Sequence, residues 1–260
     1  MNLIFSVFTK PWRDMSIKEL GLYVKELGFE GVELPVRNGY QVEPDNVGDD
    51  LLKASKELAD IGLKITSIAG STEESIIAAC AEAGVPIIRV GVSIGEEGYM
   101  ATVEKQRREF DKLIPILDKY NVTLGVQNHC DRFVCNAMGL RHLIGEYDPK
   151  HIAAIWDAAH NSLNGEDPEM AIDIIWSHLR MVNLKNAFWR RITGPEAEDV
   201  QWGHYWTTGR QGLASWPRVA TELKRRIYSG VICLTAEYSD ERSVNRLIAE
   251  DISYAKLLFR

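Results

Sequence analysis

The stretch Leu124–His129 (LGVQNH) is a short apolar run, typical of a buried β-strand, that ends on polar side chains. The same pattern recurs in Ala154–His160, Met181–Lys185 and Cys233–Tyr238. In a closed barrel of βα units the carboxyl ends of the strands converge on one mouth, where the chemistry of such folds takes place. Two carboxylates and two neutral amides are therefore expected to face one another there. They are Gln127, Asp157, Asn183 and Glu237.

Strand-like runs alternate with amphipathic helical stretches along all 260 residues, without a linker or a change in composition. This alternation predicts an α/β fold with one domain over residues 1–260, a single (β/α)₈ TIM barrel. The rival topology, a doubly wound open sheet, normally shows a glycine-rich first turn that binds a nucleotide. The turn Thr9–Trp12 (TKPW) contains no glycine, so the barrel is favoured and no nucleotide cofactor is expected.

Local signals set three expectations about helices and loops. Ser16 and Ser71 each precede a glutamate by three residues, which predicts a capping box at the start of a helix. Pro115 falls inside a helical stretch over about 101–120, and the sequence leaves open whether it bends the helix or shifts its start. The excursion over about 186–211 follows the seventh strand and predicts a long functional loop on the catalytic side.

The composition argues against several classes of partner. The formal net charge of −7 disfavours a nucleic-acid binder, since such proteins usually carry a basic face. No apolar run approaches the ~20 residues that cross a bilayer, and residues 1–10 lack the features of a signal peptide. The four cysteines show no CxxC spacing, which favours a reducing cytoplasm over a disulfide framework. We expect a cytoplasmic protein that binds neither nucleic acid nor membrane.

With Gly31–Leu34 (GVEL) as the second strand, the order of strand ends resembles that of the xylose-isomerase-like superfamily of TIM barrels, the AP-endonuclease-2-type sugar-phosphate isomerases and epimerases. Ketose 3-epimerases, inosose dehydratases and endonuclease IV share this fold. The resemblance implies a small-molecule carbohydrate substrate and a homo-oligomer, a dimer or tetramer. For the epimerase branch it also implies a divalent metal, held by Glu, Asp, His and Glu at the ends of strands five to eight.

Carried over by position, the implied metal set becomes Gln127, Asp157, Asn183 and Glu237. Two members depart from the family's pattern, because Gln127 stands where a Glu is expected and Asn183 where a His is expected. The remaining donors are all oxygen atoms, which suit Mn²⁺ or Mg²⁺ better than Zn²⁺. The alternative left open is that Gln127 and Asn183 form hydrogen bonds within the mouth and no metal binds.

The departure at Gln127 leaves the acid–base chemistry one group short, because an amide has no general-base capacity. In the family the two Glu residues serve as acid and base, so Glu237 remains the predicted base. The second role falls to His129, His160 or Lys185, and His129 is preferred because imidazole titrates near neutrality. His129 and His160 match histidines that flank the family's site, and Lys185 matches a lysine after strand seven.

Further side chains are predicted to bind the substrate. Glu33 and Arg89 lie in strands two and four, and they either bind sugar hydroxyls or pair within the barrel. One of Arg190 and Arg191 is expected to reach a carboxylate or phosphate on the substrate. Trp206 packs against either a sugar or a subunit interface. The predicted substrate-binding set is Glu33, Arg89, Asn128, His160, Arg190 and Trp206.

The leading hypothesis is a carbohydrate isomerase or epimerase that acts on a sugar, keto-sugar or cyclitol by abstracting a proton next to a carbonyl. Two alternatives stay open: a sugar lyase or dehydratase, which needs only one good base, and a sugar-binding barrel that has lost its chemistry. A nuclease of the endonuclease IV type would need a multi-zinc cluster rich in histidine and a basic face. The chain has six histidines and a net negative charge, which disfavours this activity.

Overall fold

The computed structural model describes residues 2–260 and arranges them as alternating strands and helices. The strands are β1 (Leu3–Phe8), β2 (Gly31–Pro35), β3 (Lys64–Ala69), β4 (Ile87–Gly91), β5 (Thr123–Gln127), β6 (Ile152–Asp157), β7 (Leu179–Leu184), β8 (Asn186–Arg191), β9 (Trp202–Thr207) and β10 (Gly230–Leu234). The α-helices are α1 (Ile17–Glu26), α2 (Val47–Asp60), α3 (Glu74–Ala83), α4 (Tyr99–Tyr120), α5 (Ala137–Ile144), α6 (Ala158–Leu163), α7 (Pro168–Ile175), α8 (Trp216–Arg225) and α9 (Val244–Leu258).

Eight strands in the described part of the chain close into a parallel barrel. The neighbours follow chain order from β1 to β7, and β10 completes the ring by pairing with both β7 and β1. The predicted (β/α)₈ TIM barrel is therefore confirmed. Among the helices of residues 2–260, none combines the length and apolar character that a membrane crossing requires.

An apolar cluster fills the interior of the barrel below its mouth. It comprises Phe8, Ala69, Ile87, Ile155, Met181, Val231 and Cys233, drawn from six of the barrel strands. Because side chains alternate along a strand, the next inward position toward the carboxyl end is two residues further on. Ile155 is thus followed inside the barrel by Asp157, and Met181 by Asn183. The strand period alone places these polar groups on top of the apolar cluster.

Gly125 makes the packing of this interior cluster possible. A Cβ at this position would lie 2.5 Å from Cδ1 and 2.7 Å from Cγ1 of Ile155. These contacts are far inside van der Waals distance, so a side chain here would displace the cluster. The glycine lies two residues before Gln127, on the same inward face of β5, and so sits directly beneath the mouth.

The local helix signals have mixed outcomes. Ser16 caps α1 through a complete capping box, as predicted. The prediction for Ser71 is wrong, because α3 begins at Glu74 and Glu73 is its N-cap, without a side-chain hydrogen bond. Strand β3 runs on to Ala69, and residues 70–73 between it and α3 have no regular secondary structure. Pro115 lies inside α4, which continues through it to Tyr120.

The predicted loop after the seventh strand contains regular structure. Strands β8 and β9 form an antiparallel hairpin, in which Ala187 lies opposite Trp206 and Arg190 opposite Gly203. The segment predicted as a long loop therefore forms a β-hairpin over most of its length. Strand β9 is rich in aromatic residues, which favour strands, and the hairpin satisfies the backbone hydrogen bonds of a long excursion. Only Lys185 separates β7 from β8, so the hairpin is a direct extension of the barrel wall.

Candidate active site at the barrel mouth

A buried ion pair lies at the base of the mouth. Glu33 is fully buried, and its Oε1 accepts hydrogen bonds from Arg89 Nε at 2.8 Å and from Ser67 Oγ at 3.0 Å. The Arg89 guanidinium also lies over the Phe8 ring, 4.7 Å from its centroid. Of the two roles predicted for Glu33 and Arg89, the structure shows the pairing within the barrel.

Gln127 joins this ion pair to Asp157. Its Oε1 accepts a hydrogen bond from Arg89 Nη1, and its Nε2 donates to Asp157 Oδ2 at 2.9 Å. The two partners fix the orientation of the amide, since the guanidinium only donates and the carboxylate accepts. A glutamate at position 127 would instead place two carboxylates in contact. The glutamine is thus a neutral bridge between a cation and an anion.

Asp157 caps helix α6 from inside the barrel. Its Oδ1 accepts hydrogen bonds from the backbone N–H groups of Ala159 at 3.0 Å and His160 at 3.1 Å. Asn128 holds the backbone of Asp157 from both sides, donating to its carbonyl at 3.1 Å and accepting from its N–H at 2.7 Å. Burial raises the pKa of the carboxyl group, while the nearby Lys185 ammonium opposes this shift. The predicted substrate-binding role of Asn128 is not evident, since both ends of its amide bind this backbone.

Glu237 is held between two lysines. Lys10 Nζ donates to Oε1 at 2.6 Å, and Lys185 Nζ donates to Oε2 at 2.8 Å. Burial alone would raise the pKa of this carboxyl group, but the two ammonium groups outweigh it and lower the pKa to about 2. So acidic a carboxylate is a weak base near neutral pH. Its contacts do not favour the predicted role of Glu237 as the general base.

Lys10 is a member of the site that the sequence analysis missed. It lies two residues after Phe8, the last residue of β1, and so at the same carboxyl edge as the other mouth residues. The signal was available in the sequence, because a lysine lies two residues after the end of the first strand. The pattern implied by the resemblance concerns the ends of the later strands and so does not point to this lysine.

Trp206, on the hairpin, covers the ammonium group of Lys185. The Nζ atom lies 3.6 Å from the centroid of the indole ring, and the lysine side chain is only 5% exposed. Backbone and side chain of Ser239 bind the backbone of Trp206, which fixes the hairpin to the end of the barrel. Arg190 lies elsewhere, exposed on the hairpin with its guanidinium over Tyr205. The structure does not bring Arg190 into the network of the mouth.

Two histidines lie together on the rim. Their ring centroids are 4.0 Å apart, and Trp206 packs edge-on against His160. His160 Nδ1 accepts from the backbone N–H of Cys130, so its proton is on Nε2. Burial, reinforced by the Lys185 ammonium, lowers its pKa well below the usual value and keeps it neutral. His129 Nδ1 lies 2.9 Å from the Cys130 carbonyl, an acceptor, so this nitrogen carries a proton, and in the neutral ring Nε2 is the acceptor.

Asn183 is the least satisfied group of the mouth. Its side chain is fully buried between the strands of Asp157 and Cys233, yet neither Oδ1 nor Nδ2 has a hydrogen-bond partner within residues 2–260. Glu33 Oε2 is likewise without a partner in this range. A buried polar atom without a partner costs about 1–3 kcal/mol. An amide that offers both a donor and an acceptor here is suited to a ligand bearing hydroxyl or carbonyl groups.

The residues of the mouth do not fit the predicted divalent metal. Gln127 turns its NH₂ group, which cannot ligate a cation, toward Asp157. Both oxygens of Asp157 and both oxygens of Glu237 already accept hydrogen bonds from protein donors. Of the four predicted ligands, Asn183 alone offers an oxygen without a partner among the described residues. The mouth thus brings the predicted set together without presenting a coordination shell.

A cavity of about 10 Å³ lies between Lys185, Glu237 and the hairpin residue Thr207, enough for roughly one water molecule. A larger cavity of about 200 Å³ lies outside the barrel interior, where Trp156, Asn161 and Arg218 line it between α6, α7 and α8. The cavity beneath the hairpin is too small to hold a sugar.

Comparison with known proteins assigns the family. A family model described as xylose isomerase-like TIM barrel matches residues 22–258, which is most of the chain. The chain belongs to this family. A search among curated protein sequences finds no match. The predicted resemblance to the xylose-isomerase-like superfamily is thereby confirmed.

Solved structures show the same architecture for this xylose isomerase-like barrel. A D-psicose 3-epimerase with D-tagatose from Clostridium cellulolyticum has a TM-score of 0.71 and 12% identity, with 99% of each chain covered. A 3-keto-D-glucoside 4-epimerase from E. coli has a TM-score of 0.72 and 15% identity, covering 98% of this chain and 100% of the other. A probable 3-DHS dehydratase from Bacillus anthracis has the same score and identity, covering 98% and 99%. At such low identity these similarities establish the fold alone.

Proposed function

We propose that this barrel is a carbohydrate isomerase or epimerase that removes a proton next to a carbonyl group of a sugar, keto-sugar or cyclitol. The observation that carries the proposal is the buried, unpartnered amide of Asn183 inside a layer of charged side chains. A neutral ligand rich in hydroxyl groups satisfies such an amide, whereas an apolar ligand would leave it unpaired. Two of the structurally similar proteins are sugar epimerases, which agrees with this class of ligand.

His129 is the base that the geometry favours. Its Nδ1–H is anchored on the Cys130 carbonyl, and its Nε2 lone pair is free to accept a proton. Its neighbour His160 remains neutral and directs Nε2–H into the site, 3.9 Å from Asp157 Oδ2, as a hydrogen-bond donor. The Lys185 ammonium is the group best placed to stabilise the negative charge that develops on a substrate oxygen, because it is nearly excluded from water.

Glu237 acts in this scheme as a positioning residue. Its carboxylate holds the ammonium groups of Lys10 and Lys185 at 2.6 and 2.8 Å. A carboxylate that orients a buried lysine leaves proton transfer to another group. One histidine base and one ammonium group suit aldose–ketose isomerisation, in which the same base takes and returns the proton.

Proton exchange into bound sugars tests this proposal. The protein is incubated in D₂O with a panel of ketopentoses, ketohexoses and an inosose, and the carbon next to the carbonyl is followed by NMR. Deuterium incorporation is expected for at least one compound. His129→Gln should slow it by roughly 10²–10⁴-fold, the usual contribution of a general base. His142→Gln, an exposed histidine on α5, is the matched control and should leave the rate unchanged.

The other outcomes separate the alternatives. Loss of water from the sugar, with an unsaturated carbonyl product and without isomerised sugar, would assign the lyase. Binding of a sugar without any exchange would assign a non-catalytic sugar-binding barrel. Equal exchange rates in the wild type and in His129→Gln would remove His129 from the mechanism.

We also propose that the hairpin contributes to a homo-oligomer. Its outer end carries four large hydrophobic side chains, each at least 40% exposed. They are Trp189, Ile192, Val200 and Trp202. Several large apolar groups on one exposed segment are typical of an interaction surface. A second copy of the chain is the partner that agrees with the oligomer expected for this superfamily.

A further inference from the structure

The charges of the mouth balance without any added ion. Its three carboxylates, within residues 2–260, are Glu33, Asp157 and Glu237. Arg89 pairs with Glu33, and Lys10 and Lys185 pair with Glu237. Lys185 also acts on Asp157, whose carboxyl pKa its ammonium group lowers against the effect of burial. Three positively charged side chains therefore neutralise three carboxylates.

The cations occupy the oxygens that a dication would need. A hard metal ion binds carboxylate oxygens at about 2.0–2.6 Å. An ion on Glu237 would therefore share an oxygen with Lys10 or Lys185, whose Nζ atoms are 2.6 and 2.8 Å from that carboxylate. Like charges so close together repel strongly in a buried site. Lys185 is the more effective barrier, because Trp206 and the barrel wall leave its side chain 5% exposed.

Gln127 reinforces the exclusion. Because Arg89 binds its carbonyl oxygen, its NH₂ group faces Asp157 Oδ2. The amide therefore presents hydrogens where a metal ligand would present lone pairs. If the Gln127 amide were turned over, its NH₂ group would face the Arg89 guanidinium, and both groups are hydrogen-bond donors. The position is thus fixed as a hydrogen-bond bridge.

Nitrogen and sulfur donors on the rim form a different group. His129, Cys130 and His160 each offer a ligand atom, all within 4.8 Å of one another. Such donors select Zn²⁺ over Mg²⁺ or Mn²⁺. The Lys185 ammonium, which helps to keep His160 unprotonated, opposes any cation there as well. Mn²⁺ and Mg²⁺ are therefore the probes that report on the oxygen-lined mouth.

We propose that this mouth works without a divalent metal ion, because Lys10, Lys185 and Arg89 supply the positive charge that its carboxylates require. Lys185 is then the electrophile of the reaction and takes the place of a Lewis acid. The assignment of Lys185 as electrophile rests on the proposed function. The exclusion of Mn²⁺ and Mg²⁺ is independent of it and is tested without turnover.

Metal binding to three proteins tests the exclusion. The wild type, Gln127→Glu and the double variant Gln127→Glu/Lys185→Met are freed of metal with EDTA and titrated with Mn²⁺ and Mg²⁺ by calorimetry. The wild type is expected to show no saturable binding up to about 1 mM. This concentration would saturate any site with a much lower Kd. The double variant, with a restored carboxylate and no central ammonium, is expected to bind Mn²⁺ at least about tenfold more tightly than Gln127→Glu alone.

Asp157→Asn is the control that locates any binding, because asparagine retains the cap of α6. Stoichiometric wild-type binding that Asp157→Asn abolishes would overturn the proposal. Equal affinity in the three proteins, or equal affinity in the single and double variants, would also overturn it, because Lys185 would then not govern access of the metal. Circular dichroism establishes that each variant is folded, and the wild-type titration decides the question even if the double variant does not fold.

Discussion

Replacement of the two lysines on Glu237 offers a matched test of the mouth. Lys185→Met keeps an apolar side chain under Trp206 but removes the ammonium group, which is 2.8 Å from Glu237 and 5% exposed. Lys10→Met removes the other partner, at 2.6 Å but 43% exposed. Each change removes one ammonium group from the same carboxylate. The difference between their effects on stability therefore isolates the effect of burying the lysine.

The contacts of the two lysines determine how much unfolding free energy each variant should lose. A hydrogen bond to a charged group contributes about 1.5–3 kcal/mol, and a shielded cation–π contact adds about 1–2 kcal/mol. Methionine restores part of the packing on Trp206, so Lys185→Met is expected to lower the free energy of unfolding by about 2–3 kcal/mol. Exposed ion pairs contribute about 0.2–1 kcal/mol, and Lys10→Met should cost no more than this.

Urea denaturation, followed by far-UV circular dichroism at pH 7, measures both free energies. Glu237→Gln combined with each lysine variant completes two double-mutant cycles, which give the coupling of the carboxylate to each lysine. The coupling to Lys185 should exceed the coupling to Lys10 by about 1 kcal/mol or more. Equal couplings, or a larger loss in Lys10→Met, would refute the conclusion that Lys185 is the central cation of the mouth.

Two further predictions concern the remainder of the chain. Burial raises the carboxyl pKa of Asp251, whose oxygens accept from Gly209 and Tyr238, to about 6. Because the folded pKa lies above the ordinary value of 3.8, its protonated form stabilises the fold at low pH and this contribution is lost as pH rises toward 6. Asp251→Asn should weaken the dependence of the urea midpoint on pH between 3.8 and about 6. An unchanged dependence on pH would contradict the raised pKa of Asp251. If the hairpin forms the proposed oligomer contact, Trp202→Glu should reduce the mass measured by light scattering to that of a monomer, whereas a monomeric wild type would rule the contact out.

The fold could be predicted because its signals are local. Alternating strand and helix periods identified the barrel, and Ser16 with Glu19 fixed the start of α1 through a capping box that the structure contains. Strand ends also located the mouth, since Gln127 and Asp157 bond to each other across neighbouring strands. These features depend on residues close in sequence or on the geometry common to all parallel barrels.

The contacts within the mouth could not be read from the sequence. Lys10 and Glu237 are 227 positions apart, and nothing local indicates that they pair. The role of Asp157 as the cap of α6 was also missed, because the short helix that follows it shows little periodicity. The resemblance predicted that Gln127 departs from the family's pattern. Its place between Arg89 and Asp157 required knowledge of both partners.

The continuity of β7 and β8 has a consequence for how a substrate reaches the barrel. One residue, Lys185, joins the wall of the barrel to the hairpin above it, and the indole of Trp206 on that hairpin lies against its ammonium group. Under the proposed function, a sugar that contacts this ammonium group has to displace the indole, and the same displacement uncovers the lysine. Entry of the sugar and exposure of the ammonium group would then be a single movement, which shields the proposed electrophile from other carbonyl compounds while the barrel is empty.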